Sequence, residues 1–142
     1  KNTNGFIGLN PYPFFIDPTF KAREQKVRNT FKEQLNELAD KQETTAGKWI
    51  VKQHYLQNKL SSVCPGMDIF VDHIDYIVKM IGIDYVGVGS DYDGLDCLPQ
   101  GWNDCMDHML IAKELDRRGY SSEGIEKIMG KNILRVLEEV WA

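Results

Sequence analysis

The sequence predicts an α/β fold with parallel strands. Two apolar runs, "GFIGLN" at 5–10 and "DYVGVGS" at 84–90, read as strands buried on both faces. Segments with helical periodicity fill the space between them and follow the second. The order strand, helices, strand, helices is the grammar of parallel α/β folds.

After the first strand, "PYP" at 11–13 reads as a turn. Asp17 is placed to cap a helix, with Pro18 at its first position. From Thr19 to about Glu43 one helix is predicted, on the stripe Phe20, Val27, Phe31, Leu35 and Leu38. "TTAG" breaks that pattern, "KWIVKQHYLQNKL" can form a second helix, and "SSVCPG" reads as a loop. Phe70, Ile74, Ile77, Val78 and Ile81 define an amphipathic helix over 67–81, with Gly82 just past it. Beyond the second strand, a loop holds "DCLPQGWND". A helix over 105–118 ends at Gly119, Ser121 or Ser122 caps the next, and "NILRVLEEVW" is expected to bury Ile133, Leu134, Leu137 and Trp141. Two strands neither close a barrel nor make a good open sheet. The chain therefore borrows strands or is the tail of something larger.

Composition narrows the function. The 142 residues suffice for one domain, and 42% hydrophobic content argues against disorder. A net charge of −4, with basic residues spread among acids, gives no footprint for nucleic acid. No apolar run reaches the roughly 18 residues of a membrane span, and neither end carries a signal-peptide or lipid-anchor pattern. A soluble chain is expected; its compartment is left open, with cytoplasm and periplasm both compatible. Lys1 is no initiator methionine, which hints at a fragment. Cys64, Cys97 and Cys105 fit no zinc-finger spacing and read as free thiols, with a Cys97–Cys105 bridge as the lesser alternative.

The stretch "VGVGSDYDG" at 86–94 carries the chemistry. Asp91 falls at the carboxyl end of the second strand, as Asn10 does on the first. In α/β barrels reactive groups sit at such ends. Gly87, Gly89 and Gly94 allow a ligand or second backbone to come close. Asp91 then faces a cation or a protonated group; alternatively, Asp91 and Asp93 cap the following turn. A calcium loop fails, because glycine stands fourth and Trp102 twelfth. A dinucleotide fingerprint fails, because Tyr92 stands where the third glycine belongs. His73 lacks a partner four residues on and reads as a surface or capping residue; His54 and His108 read as solvated or packing residues. No metal ligand is assigned within the chain.

"VDHIDYIVKMIGIDYVGVGSDYDG" (71–94) closely resembles the signature of the membrane (renal-type) dipeptidase family, zinc peptidases on an amidohydrolase-like (β/α)8 barrel. "PQGWND", "ELDRRGYSSEGIEKIMGKNILRVLEEV" and "GFIGLNPYPFFI" resemble a loop, the ending and the seventh strand of that family. The resemblance implies that residues 1–142 form the C-terminal portion of one TIM-like barrel domain, its last two strands with their helices, and that 19–66 is a helical insertion between those strands. It implies zinc-dependent hydrolysis of a dipeptide substrate by two Zn2+ whose ligands lie upstream of Lys1. Asp91 matches the catalytic aspartate, which takes a proton from the attacking hydroxide and delivers it to the leaving amine. Tyr12, Phe15 and Tyr92 match substrate-pocket positions; Asn10, Asp93 and Gly94 shape the turn at the site. Pro11 in "NPY", where an aromatic is common, and "DHM" at 107–109 depart from the family pattern without touching the chemistry. Partners implied are the remainder of the barrel or a second chain, and a homodimer. The alternatives are an inactive binding or assembly module and another amidohydrolase reaction on the same barrel.

Overall fold

In the computed structural model, residues 3–92, 94–95 and 97–141 are described. Two short strands, β1 (Ile7–Leu9) and β2 (Val86–Val88), pair in parallel. Their register sets Ile7 against Val86, Gly8 against Gly87 and Leu9 against Val88. Gly89 N donates to Leu9 O at 2.8 Å, carrying the pairing one step past the strands toward their carboxyl ends. Most of the other described residues are helical, so the chain is a mostly helical α/β unit around a two-stranded sheet.

Between the strands run α1 (Pro13–Ile16), α2 (Phe20–Thr30), α3 (Lys32–Asp40), α4 (Thr45–Leu60) and α5 (Met67–Ile81). The single helix predicted from Thr19 to Glu43 is two helices, broken at Phe31, whose φ of −106° and ψ of 17° are not helical. Asp17 does not sit at the helix start. Its carboxylate accepts from Thr19 N at 2.8 Å and Thr19 Oγ1 at 2.6 Å, closing the turn that leads into α2. Thr44 caps α4 by accepting from Gly47 N at 3.0 Å. This supplies the start that the "TTAG" break left open, because the hydroxyl satisfies an otherwise orphaned N–H.

Helix α5 covers the predicted span. Phe70, Val71 and Ile74 are fully buried on one face, each contributing about 1.5–3 kcal/mol. Asp68 in its first turn and Lys79 in its last complement the helix dipole. Gly82 ends it at φ 98°, a left-handed conformation that glycine adopts without penalty.

After β2 come a 3-10 turn at Cys105–Asp107, α6 (His108–Arg117), α7 (Ser122–Glu126) and α8 (Asn132–Trp141). The predicted 105–118 helix thus begins with a tighter turn, which Asp104 caps by accepting from Met106 N at 2.8 Å. Ser121 caps α7 through Gly124 N at 3.2 Å. Helices α7 and α8 are joined by a wide turn, Lys127–Lys131, in which Gly130 is extended.

The main core packs α5 and α6 on β2 through Phe70, Ile74, Val86, Ile111, Leu115 and Ile128. A second core joins α2, α3 and α4 through Phe20, Leu35, Leu56 and Leu60, with Cys64 and Cys97 beside them. None of the three cysteines is in a disulfide, so the 97–105 bridge is not formed.

Two expectations of burial are corrected. Val86 and Gly87 of β2 are buried, but Ile7 and Gly8 of β1 are exposed, because among the described residues β1 has one strand neighbour, β2. In α8, Ile133, Leu134 and Trp141 are exposed, Trp141 by 79%. The residue that anchors α8 is instead the buried Asn132, whose Nδ2 donates to Ile83 O and Val86 O, each at 2.7 Å. Among the described residues, no helix is long and apolar enough to cross a membrane.

Candidate active site

The parallel register brings the carboxyl ends of β1 and β2 side by side. Asn10 follows β1 and Asp91 follows β2. Asn10 Nδ2 donates to Asp91 Oδ2 at 2.7 Å. The amide orientation is fixed from its other end, where Asn10 Oδ1 accepts from Tyr12 N at 2.9 Å. The oxygen is occupied by a backbone N–H, so the NH2 group must face the carboxylate.

Asp91 is exposed and holds φ at 51°, one of two non-glycine residues with positive φ among those described. Such a backbone costs about 1–3 kcal/mol, less for Asp than for a bulkier residue, and clusters at functional sites. Gly94 closes the turn, with its N donating to Asp91 O at 3.1 Å. A Cβ at Gly94 would lie 2.6 Å from Asp91 Oδ1, so only glycine leaves the carboxylate where it is. Asp93, read as a turn residue, lies outside the described residues.

The aromatic positions divide. Tyr12, half-buried at the start of α1, has its ring 5.2 Å from the rings of Phe14 and Phe15. Phe15 is 68% exposed. Both lie on the segment that Asn10 anchors. Tyr92 turns the other way. Its hydroxyl accepts from Trp102 Nε1 at 2.5 Å, and its ring stands edge-on to Trp102 and His108. Burial pushes the Tyr92 hydroxyl pKa up, while the Trp102 bond pulls it down. His108 Nδ1 lies 3.0 Å from Cys105 O, a group that can only accept, so Nδ1 carries the proton.

The remaining histidines take no part. His73 Nε2 donates to Ile16 O at 3.0 Å and ties α5 to α1, and His54 is exposed on α4. Among the described residues, no three His, Cys, Asp or Glu side chains come together as a metal site would need. Charge is arranged instead for structure. Arg118 binds Glu114 at 2.8 Å, Asp72 at 2.7 Å and Asp75 at 2.6 Å, and Tyr120 donates to Asp75 at 2.6 Å. Burial and that Asp75 bond push the Tyr120 pKa up.

Trp102 and Asn132 carry roles that periodicity does not reveal. Trp102 is 3% exposed within the predicted loop. A large donor-only indole there was the available signal, since buried indoles need an acceptor. Asn132 gave a weaker one, as a polar residue opening an apolar helix.

The sequence profile of the family "Membrane dipeptidase (Peptidase family M19)" matches residues 1–142. Dipeptidase ataJ of Aspergillus terreus is 50% identical over 70 residues, covering 49% of this chain and 17% of that protein. An uncharacterized dipeptidase of Schizosaccharomyces pombe is 34% identical over 122 residues, covering 83% of this chain and 27% of that protein. The crystal structure of the probable dipeptidase PvdM from Pseudomonas aeruginosa superposes with a TM-score of 0.61 at 26% identity, covering 98% of this chain and 38% of that one. The chain thus spans well under half the length of these relatives. It belongs to the membrane dipeptidase family, peptidase family M19.

Proposed function

We propose that this chain supplies the proton-transferring aspartate of a dipeptide hydrolase. The observation that carries the proposal is the exposed Asp91 carboxylate at the end of β2, oriented by Asn10 from the end of β1. Hydrolysis of a peptide bond removes a proton from the attacking water and adds one to the leaving amine. A single carboxylate within reach of both atoms can do each in turn. Among the described residues, Asp91 Oδ1 has no donor, which leaves it free to act as the base. Tyr12 and Phe15 would contact the substrate on the Asn10 side, and Tyr92 on the other. Asn10, Asp93 and Gly94 would set the turn.

The architecture we infer is the last two strand–helix units of a (β/α)8 barrel, with 19–66 as a helical insertion between them. Adjacent parallel strands with the candidate acid at their carboxyl ends support it. So does the exposed outer side of β1, where a further strand or a partner chain would pair.

The family implies two zinc ions. The described residues do not fit them, because no cluster of three ligand side chains is present. We therefore place the ligands outside these residues and assign no step through the metal. The second reading, a binding or assembly module without activity, is the one the assay separates from the first.

The assay is release of amino acids from Gly-Leu and related dipeptides by the complete enzyme containing this chain, supplied with zinc. Equimolar glycine and leucine are expected. A zinc-loaded enzyme that releases neither, from any dipeptide of a broad panel, would overturn the proposal in favour of the module.

A further inference from the structure

Asp91 and Tyr92 are chain neighbours whose side chains go to different places. Asp91 reaches Asn10 at the carboxyl ends of the strands, and Tyr92 packs against the main core. The backbone between these two attachments carries the positive φ of Asp91, 51°. A conformation of that kind persists only where the surroundings over-determine it. Relaxing it would turn the Asp91 carboxylate relative to the Tyr92 ring. Whatever holds Tyr92 therefore also holds the direction of the carboxylate.

Trp102 holds Tyr92. Its Nε1 donates to the Tyr92 hydroxyl at 2.5 Å, and the two rings stand edge-on, 6.2 Å apart. The buried Trp102 ring lies 5.8 Å from that of Phe70 on α5, so it is seated in the main core. His108, opening α6, packs on both, 5.0 Å from the Trp102 ring and 5.6 Å from the Tyr92 ring. The loop is pinned on either side of the indole. Before it, Gln100 donates through N to Pro65 O at 2.8 Å and through Nε2 to Cys64 O at 2.7 Å. After it, the Asp107 carboxylate accepts from Asn103 N at 2.7 Å and Asp104 N at 3.3 Å. An indole has one polar atom and can only donate. Here its one bond goes to the residue next to the candidate base.

We infer that Trp102 is a positioning residue for hydrolysis: through Tyr92 it keeps the Asp91 backbone left-handed and the carboxylate aimed at the reacting atoms. The inference rests on the dipeptide-hydrolase reading above. Asn10 restrains the carboxylate directly, whereas Trp102 restrains the backbone that carries it. A base held in its working geometry reacts without first having to reorient, so loosening it lowers the rate of the chemical step.

The test is a kinetic cycle on the complete zinc-loaded enzyme, with the best substrate of a dipeptide panel and zinc content measured for each protein. Wild type, Trp102→Phe, Asp91→Asn and the double variant are compared. Trp102→Phe keeps an aromatic ring in the core and loses the donor. It should lower kcat about threefold to tenfold and leave KM within twofold. Asp91→Asn has no base left to aim, so adding Trp102→Phe to it should change kcat by less than twofold. Tyr92→Phe removes the acceptor and leaves the indole in place. It should reproduce the fall in kcat, and it carries the test if Trp102→Phe does not fold. An equal fall in both backgrounds, an unchanged kcat, or a change in KM alone would overturn the positioning role and leave the hydrolase reading standing. Wild-type kcat in Asp91→Asn would overturn it as well, since Trp102 would then have no base to aim. Wild type inactive on every dipeptide would overturn the hydrolase reading, and the positioning role with it.

Discussion

Asn10 and Asp91 stand 81 positions apart in sequence and meet in one hydrogen bond of 2.7 Å across the ends of two parallel strands. Each is fixed by its own backbone surroundings: Asn10 by Tyr12 N, Asp91 by the Gly94 turn. The carboxylate is thus oriented before any ligand arrives.

Asn10→Ala should therefore lower kcat more than it changes KM. A hydrogen bond to a charged group at an exposed site is worth about 1.5 kcal/mol, or about tenfold in rate. Steady-state kinetics on a good dipeptide read the split. A variant with altered KM and unchanged kcat would place Asn10 in substrate binding instead.

Asn132→Ala should destabilise the fold without touching the site. It leaves two carbonyls, Ile83 O and Val86 O, without their donor in a buried place. The cost is about 2–3 kcal/mol, or a fall of roughly 10 °C in melting temperature. Thermal unfolding followed by circular dichroism measures it. An unchanged midpoint would show that water or another donor takes over.

How much of this was readable in the sequence varies with the kind of signal. Helix α5 has strict periodicity and a glycine stop, so its limits could be read directly. Asp91 and Asn10 could be placed at strand ends because apolar runs terminate there. The break at Phe31 could not, since the apolar stripe continues straight across it and only backbone geometry separates α2 from α3. Burial of α8 was misjudged because an amphipathic pattern tells which face is apolar, not whether anything covers it. The bond from Trp102 to Tyr92 could not be read for another reason. Both partners lie in the loop after β2, where no periodicity sets which residues meet.

Acid should weaken the fold through Glu114. Arg117 first, and then Arg118, hold its carboxyl down from 4.5 to about 2. A depressed folded-state pKa gives stability that is present above the unfolded value and is lost as pH falls from about 4.5 toward 2. Asp17, bonded first to Thr19 and then to Arg23, is lowered from 3.8 to about 2 and adds in the same direction. Urea midpoints at pH 7, 4 and 3 should fall steadily. In Glu114→Gln the fall should be shallower and the pH 7 value lower. Parallel pH profiles for the two proteins would remove Glu114 from the account.

The most direct measurement is single-turnover hydrolysis of a dipeptide by the zinc-loaded complete enzyme carrying Asp91→Asn. The amide keeps the size of the side chain and its place beside Asn10, but cannot carry the proton. The account predicts a fall in rate of about 10²–10⁴-fold with metal content and melting temperature unchanged. Wild-type turnover in that variant would contradict it.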